Sequence, residues 1–185
     1  MAIATILWRR LDAPGHDACR LDWSGAGWRL EGTAVFRHAG GPAQLAYYVV
    51  CDATWRPQQG HVQGWLGAES VELNVVRTQA RKWTLNGLVV PGVGDCIDLD
   101  FGFTPATNVL QLRRLALEVG QAADAPAAWL SGLSAGTLEL LPQRYERRAA
   151  ATYWYEAPSV GYAALLDVDP NGFILRYPGL WEAEL

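Results

Sequence analysis

Residues 28–39 of this chain read WRLEGTAVFRHA, and this stretch decides the fold class. Small or apolar residues alternate along it with polar or charged residues. Successive side chains of a β-strand point to opposite faces of a sheet, so a period of two predicts a half-buried strand. The pattern slips once, near Val35. The predicted inner face carries Leu30, Gly32, Ala34 and Phe36, and the outer face carries Arg29, Glu31, Thr33 and Arg37.

The segments on either side of this stretch are also short strands separated by turn residues. Asn86-Gly87 is the strongest hairpin signal, because both residues tolerate the positive φ of a type I′ turn. The run Asp169-Pro170-Asn171-Gly172 predicts a second hairpin loop. Further strands are predicted at residues 3–10, 20–23, 44–52, 61–66, 71–77, 82–85, 88–90, 115–119, 137–148 with an interruption at Pro142, 151–156, 162–168 and 173–177.

The strand pattern predicts the fold class. Residues 127–133 fit either a strand or a short helix, and no helical pattern longer than two turns occurs elsewhere. No linker divides the chain, so we predict one domain over residues 1–185. This domain is all-β, a single antiparallel meander that curls into a roll or open barrel to cover its own apolar face, with at most short helices.

Composition limits the classes of function. Hydrophobic residues make up 50% of the 185 residues and charged residues 18%, and nine Trp and seven Tyr supply much of the apolar surface. These rings either fill the core or line a cavity or groove. The formal net charge of −4 argues against binding of nucleic acids or anionic membranes, because both need a basic surface.

Several kinds of segment are not expected. The first residues lack the features of a secretory signal, and no apolar run is long enough to span a bilayer, so we expect a cytoplasmic protein without an integral membrane segment. Cys19, Cys51 and Cys96 lie far apart in the sequence, which predicts free, buried thiols. The spacings typical of zinc ligands are missing, and we expect neither a metal nor another cofactor.

Residues 95–114, DCIDLDFGFTPATNVLQLRR, hold the most unusual group of polar residues. Asp98 and Asp100 would share one face of a strand. Like charges repel, so the pair implies a nearby cation, and Arg113 or Arg114 becomes that cation if residues 104–108 turn the chain back. We therefore expect a strand-turn-strand corner, either a structural ion-pair network or part of a ligand site.

Several motifs are shared with a known family. The most specific runs from Gly94-Asp95-Cys96-Ile97-Asp98-Leu99-Asp100 through Thr104-Pro105-Ala106-Thr107-Asn108 to Arg113-Arg114-Leu115. The others are Cys19-Arg20-Leu21, Tyr48-Val49-Val50 with Asp52 and Trp55, Trp83 before Asn86-Gly87, Gln143-Arg144-Tyr145, and Tyr177-Pro178-Gly179-Leu180-Trp181. In these motifs the chain resembles the putative glycolipid-binding family of uncharacterised bacterial proteins. It departs from the family pattern at Gln111, where a proline is expected.

The resemblance implies a spiral β-roll, similar in shape to envelope carriers that hold the acyl chains of lipoproteins. It implies neither an enzymatic activity nor a catalytic residue. We therefore expect a protein that binds or carries an amphiphile, a glycolipid or fatty-acyl molecule, without catalysis. The ligand would occupy the concave apolar face of the roll, which requires that the apolar lining exceeds what packing alone uses.

Candidate ligand-binding residues follow from their chemistry. Carboxylates accept hydrogen bonds from sugar hydroxyls, arginine forks bind phosphate or carboxylate, and rings line the mouth of a pocket. For each ring, core packing is the alternative role. The expected ligand-binding residues are Trp55, Trp83, Asp98, Asp100, Arg113, Arg114, Tyr145 and Tyr155.

Two other functions remain open at the level of the sequence. One is a hydrolase of glycosides or phosphate esters that uses Asp98 and Asp100 as a carboxylate pair. The other is a sugar-binding or protein-interaction module with a flat, exposed aromatic face. No nucleic-acid partner is expected.

Overall fold

The structure, a computed structural model, describes residues 2–134 and 136–184. Within these residues the chain is almost entirely strand, with one α-helix, α1 (Asn108–Leu115), and a 3-10 turn at Pro158–Val160. The strands are β1 (Ala2–Arg10), β2 (Gly15–Trp23), β3 (Gly27–His38), β4 (Gly41–Asp52), β5 (Pro57–Leu66), β6 (Glu69–Arg77), β7 (Trp83–Leu85), β8 (Leu88–Val89), β9 (Asp98–Phe101), β10 (Ala122–Asp124), β11 (Ala127–Gly132), β12 (Thr137–Leu141), β13 (Arg144–Ala149), β14 (Thr152–Ala157), β15 (Tyr162–Val168), β16 (Ile174–Tyr177) and β17 (Trp181–Ala183).

Fourteen of the strands in the described residues form one antiparallel sheet. Its order is β10-β13-β14-β15-β16-β17-β1-β2-β3-β4-β5-β6-β7-β8. The last strand therefore pairs with the first, and Trp8 lies opposite Ala183. Strands β8 and β10 are the two edges and do not pair with each other. The expected all-β fold, an antiparallel meander curled into an open roll, is confirmed.

The side chains of the large sheet are buried in the alternating pattern that the sequence predicts. In β4, Ala43, Leu45, Tyr47, Val49 and Cys51 are buried, and the residues between them are half-buried. Strand β3 shows the same pattern, with Leu30, Ala34 and Phe36 buried. The cysteines are buried free thiols, as expected. Both predicted hairpins form, because β7 pairs with β8 across Asn86-Gly87 and β15 pairs with β16 across residues 169–172.

The interior of the roll is filled by the chain itself. Strands β9, β11 and β12 form a small second sheet in which β9 and β11 run parallel, and the helix α1 follows β9. The rings of Phe101 and Phe103 pack edge-on against Tyr47 of the large sheet, at centroid distances of 6.2 and 5.6 Å. Gly60 lets β5 of the large sheet approach β9 closely, because a Cβ at residue 60 would lie 2.5 Å from Leu99 Cδ2.

Residues 104–119 differ from the sequence-based prediction. The turn after β9 leads into α1 and not into a strand, and residues 115–119 contain only the last residue of the helix followed by loop. Residues 108–112 are buried inside the roll. An α-helix satisfies its own backbone hydrogen bonds, whereas a strand there would need a partner on each side. The helix ends at Leu115, and the residue that caps it, Ala116, has a left-handed φ of 46°. Residues 127–133, where a short helix was the alternative, contain β11.

Three buried carboxyl groups fasten the part of the chain from β9 to the end of α1, residues 98–115, which we call the inner segment. Asp98 is held by Arg114, whose Nε and Nη2 donate to its two oxygens at 2.7 and 2.6 Å. Asp17, on β2, accepts hydrogen bonds from the hydroxyls of Tyr47 and Thr104. Burial raises the pKa of Asp17 to about 6, against the hydrogen bonds from Thr104 and Tyr47, which lower it. The third carboxyl, that of Asp100, lies in the candidate site.

Candidate ligand cleft

A cleft of about 350 Å³ remains between the inner segment and the C-terminal half of the roll. We call it the tyrosine cleft. Its floor is made by β9 and the start of α1, and its walls by β14 to β17 with β11 and β12. The lining residues are Asp100, Phe101, Gly102, Thr104, Asn108, Trp129, Leu141, Tyr155, Ala157, Val160, Tyr162, Tyr177, Leu180 and Trp181.

The floor of the tyrosine cleft is polar. Gln143 Nε2 donates to Asp100 Oδ2 at 2.8 Å, and no other side chain or backbone group in the described residues donates to this carboxyl. Oδ1 of Asp100 therefore remains available as an acceptor. Beside it, Asn108 Nδ2 donates to the Tyr145 hydroxyl at 2.8 Å. The floor thus combines the Asp100 carboxyl and the Asn108 amide, and such groups recognise sugar hydroxyls.

Three tyrosines from three neighbouring strands, Tyr155, Tyr162 and Tyr177, form one wall, and Tyr145 packs behind it. The Tyr155 ring lies 4.9 Å from Tyr145, 6.0 Å from Tyr162 and 5.8 Å from Tyr177, measured between centroids. Tyr145 lies directly opposite Tyr155 across β13 and β14. The Tyr162 hydroxyl donates to the carbonyl of Pro178 at 2.7 Å, which fixes that ring at the rim. The wall is therefore an aromatic surface fixed by packing and hydrogen bonds.

Burial sets the protonation of these groups. It raises the pKa of Tyr162 to about 12 and raises the pKa of the other three tyrosines further, so all four are neutral donors at physiological pH. Burial also raises the pKa of Asp100 to about 6; the hydrogen bond from Gln143 opposes this shift, and the charge of Asp98 adds to it. Asp100 is therefore mainly ionised above pH 6 and protonated below it.

The mouth of the cleft is apolar. Val160 is half-exposed, at 49%, and Leu180 and Trp129 are partly buried. Gly102 lets the Trp129 ring approach, because a Cβ at residue 102 would lie 2.5 Å from Trp129 Nε1. A ligand in this cleft therefore meets polar groups at the bottom and apolar side chains at the opening.

A larger depression, of about 630 Å³, lies on the outer face of β1 to β5. The charged side chains on its walls are paired with one another: Arg29 Nε lies 2.7 Å from Glu31, and Arg20 Nη2 lies 3.5 Å from the same residue. Its floor is formed by small residues such as Ala18 and Ala46. The buried Tyr47 also lines this depression, but its hydroxyl already donates to Asp17, so the tyrosine cleft is the better candidate.

The residues predicted from the sequence fall in four places. Asp100 and Tyr155 line the tyrosine cleft, and Tyr145 packs directly behind Tyr155. Asp98 and Arg114 form the buried ion pair of the inner segment, so Arg114 is the cation that the carboxylate pair implied.

The other three predicted residues lie away from the cleft. Trp83 is fully buried, and its Nε1 donates to the carbonyl of Cys96 at 3.0 Å. Trp55 and Arg113 meet in a second pocket, where the Arg113 guanidinium lies 5.3 Å from the Trp55 ring centroid.

Sequence reasoning missed several residues of the cleft. Asn108, Trp129, Tyr162, Tyr177 and Trp181 line it together with Asp100 and Tyr155. The shared motif Tyr177-Pro178-Gly179-Leu180-Trp181 was a signal for two of them. Tyr162 and Trp129 carry no local signal, because only strand pairing brings them to the same wall.

In the described part of the chain, no helix is long and apolar enough to cross a membrane. The same residues contain no group of three or more His, Cys, Asp or Glu side chains placed to hold a metal ion.

Comparison with known proteins gives the relatives of this chain. A crystal structure of a DUF1089 family protein from Pseudomonas aeruginosa superposes with a TM-score of 0.78 at 26% sequence identity, and the match covers 91% of each chain. No curated protein sequence matches significantly. A family described as putative glycolipid-binding matches residues 5–183. The chain therefore belongs to the putative glycolipid-binding family.

Proposed function

We propose that this protein binds a single-chain amphiphile in the tyrosine cleft, without catalysis. The hydroxylated head group lies on the polar floor, and the apolar chain leaves past Val160 and Leu180. The observation that carries this proposal is the arrangement of the cleft, with Asp100 Oδ1 free of protein donors at the bottom and apolar side chains at the mouth. The family's description as putative glycolipid-binding supports the same class of ligand.

The size of the cleft limits the ligand. Ligand pockets in proteins commonly measure about 300 to 1,000 Å³, and this cleft, at about 350 Å³, is at the small end. The interior of the roll is occupied by the helix α1 and the small sheet, so it does not offer the long apolar concave face that we expected. We therefore propose that the sugar ring and a short length of chain lie inside the cleft, with the remainder of the ligand outside.

Catalysis by a carboxylate pair has less support. Hydrolysis of glycosides uses two carboxyl groups that flank the scissile bond. Asp100 lines the cleft, whereas both oxygens of Asp98 are held by Arg114 outside it. An interaction module with a flat aromatic face also has less support, because the clustered rings of Tyr155, Tyr162 and Tyr177 line a cleft.

Calorimetric titration with octyl β-glucoside, below its critical micelle concentration, tests the proposal. Each buried methylene contributes about 0.8 kcal/mol. If about four methylenes of the octyl chain are buried in the cleft, they contribute about 3 kcal/mol. Glucose, which lacks the octyl chain, should therefore bind at least about 100-fold more weakly than octyl glucoside. Asp100→Asn removes the anionic acceptor and should weaken octyl glucoside binding about tenfold. The matched control is Asp124→Asn, at an exposed carboxyl outside the cleft.

The proposal predicts heat from the wild type and the control, and reduced affinity for the Asp100 variant. Absence of binding by the wild type, or equal affinity in all three proteins, would contradict it. Thermal unfolding of each variant shows whether it is folded.

A further inference from the structure

A second pocket lies at the other end of the helix α1. It encloses about 370 Å³, and its lining includes Trp55, Leu112, Arg113, Ala116, Arg147 and Tyr153. Asn108, the first residue of the helix, lines the tyrosine cleft, whereas Leu112, Arg113 and Ala116 line this pocket. An eight-residue helix is about 12 Å long, so the two pockets are separate sites. We call the second one the arginine pocket.

Arg113 reaches into the arginine pocket with most of its donors free. Its guanidinium lies over the Trp55 ring, and its stem passes Gly172, where a Cβ would lie 3.2 Å from Arg113 Cδ. A guanidinium carries five N–H donors, and one of these, on Nη1, donates to the carbonyl of Pro170 at 3.4 Å. Stacking fixes the plane of the group and leaves its edge for an acceptor.

Arg147 provides the second positive charge. Its Nη1 donates to the carbonyl of Leu117 at 2.8 Å, its Nη2 to the carbonyl of Ala150 at 2.6 Å and its Nε to the carbonyl of Ala149 at 3.4 Å. One N–H on each Nη is left for a ligand. The guanidinium also lies 5.6 Å from the ring of Tyr153, its cross-strand neighbour. These contacts hold the charge at the wall of the pocket.

Neither arginine is neutralised. Over residues 2–134 and 136–184, no carboxylate oxygen lies within 4.0 Å of Arg113 or Arg147. Asp169 also lines the pocket, but its carboxylate accepts from the backbone N–H groups of Asn171 and Phe173, at 2.9 and 2.7 Å, and from the Asn171 side chain. Two cations without carboxylate partners therefore face one carboxylate that its own turn stabilises.

The platform under Arg113 is held in a strained conformation. Trp55 has a φ of 65°, which is unusual for a residue with a bulky side chain. Asp52 holds this turn, because its Oδ1 accepts from the backbone N–H groups of Thr54 and Arg56 at 2.8 and 3.0 Å. The far face of the Trp55 ring is stacked on Trp28 at 4.2 Å. Both faces of Trp55 are therefore covered, and the residue positions Arg113. Strain of this kind is typical of ligand sites.

We propose that Arg113 and Arg147 form a binding site for an oxyanion, a phosphate or a carboxylate. Arginine edges bind such anions through paired, charge-assisted hydrogen bonds. The same chemistry occurs in a free anion and in the head group of an anionic lipid. The site does not depend on the tyrosine cleft, and its ligand need not be the amphiphile bound there.

Titration of the arginine Nε–H signals by NMR, with inorganic phosphate, tests the site. We expect the Arg113 signal to shift with saturation, and Arg113→Gln to weaken phosphate binding at least tenfold. The matched control, Arg144→Gln, changes an exposed arginine that already pairs with Asp124 and should bind as the wild type does. Arg147→Gln should also weaken binding; if it impairs folding, the Arg113 variant decides.

Hexanoate and dihexanoyl phosphatidic acid separate the possible sources of the anion. Tighter binding of the phosphatidic acid than of phosphate assigns the site to a lipid head group, equal binding assigns it to a free phosphate, and preference for hexanoate assigns it to a carboxylate. The proposal is overturned if none of the three anions binds the wild type, or if Arg113→Gln binds them as tightly as the wild type. Ala157→Phe, which fills the tyrosine cleft, should leave anion binding unchanged.

Discussion

Replacing Asp100 by asparagine should remove part of the pH dependence of stability. Burial raises the pKa of Asp100 to about 6, from 3.8. One pKa unit corresponds to about 1.4 kcal/mol, so ionising this carboxyl in the folded protein costs about 3 kcal/mol. Relaxation around the cleft would reduce the cost, which makes this value an upper limit. Asparagine keeps the shape and can still accept from Gln143 through its carbonyl oxygen.

The sign of the effect follows from proton uptake. Between pH 4 and 6 the folded protein holds the Asp100 proton more tightly than the unfolded chain does, so the free energy of unfolding falls as pH rises through this window. Above pH 6 the full cost is present. The asparagine variant has no such proton, so it should match the wild type near pH 4 and be more stable by up to about 3 kcal/mol at pH 7.5.

Urea unfolding at pH 4.5, 6.0 and 7.5 measures this difference. Asp17, whose pKa is also raised to about 6, contributes in the same window, but it is present in both proteins and cancels in the comparison. Asp124→Asn, at a carboxyl that is 77% exposed, is the control and should follow the wild type. Parallel pH profiles for the wild type and the Asp100 variant would refute the reasoning.

Two further substitutions test what holds the inner segment in place. Arg114→Ala leaves Asp98 buried without its partner and should destabilise the protein by about 3 to 5 kcal/mol in urea unfolding. The control Arg148→Ala, at an exposed ion pair, should cost less than about 1 kcal/mol. Equal effects of the two substitutions would contradict the role of the buried pair. Gly60→Ala places a Cβ 2.5 Å from Leu99 Cδ2 and should lower the free energy of unfolding by about 1 to 3 kcal/mol. A thermal midpoint equal to that of the wild type would show that β5 and β9 do not touch.

The strands of the roll could be predicted because their signal is local. The alternation of residues 28–39 corresponds to β3, and Asn86-Gly87 forms the hairpin between β7 and β8. The helix α1 could not be predicted in this way. It spans eight residues, about two turns, and its polar residues Asn108 and Gln111 are buried together with its apolar ones, so neither its length nor a solvent-facing polar side marks it as a helix.

The candidate site was only partly predictable from the sequence. Asp98 and Asp100 were placed on one face of a strand, yet Asp98 pairs with Arg114 and Asp100 faces the cleft with Gln143. Which partner each carboxyl finds depends on how the inner segment folds. Likewise, Tyr155 and Tyr162 share a wall because β14 and β15 pair in one particular register. A single sequence does not show that register.

The central claim is that the tyrosine cleft holds an amphiphile, and native mass spectrometry of freshly purified protein tests it most directly. Ala157 lines the cleft and is 1% exposed, whereas Ala163, on the neighbouring strand, is exposed. Phenylalanine at residue 157 should therefore fill the cleft, and phenylalanine at residue 163 should not. We predict that the wild type and Ala163→Phe carry a bound amphiphile, or take up octyl β-glucoside, and that folded Ala157→Phe does neither. Equal occupancy of the two variants, or an empty wild type that takes up no octyl glucoside, would contradict the account.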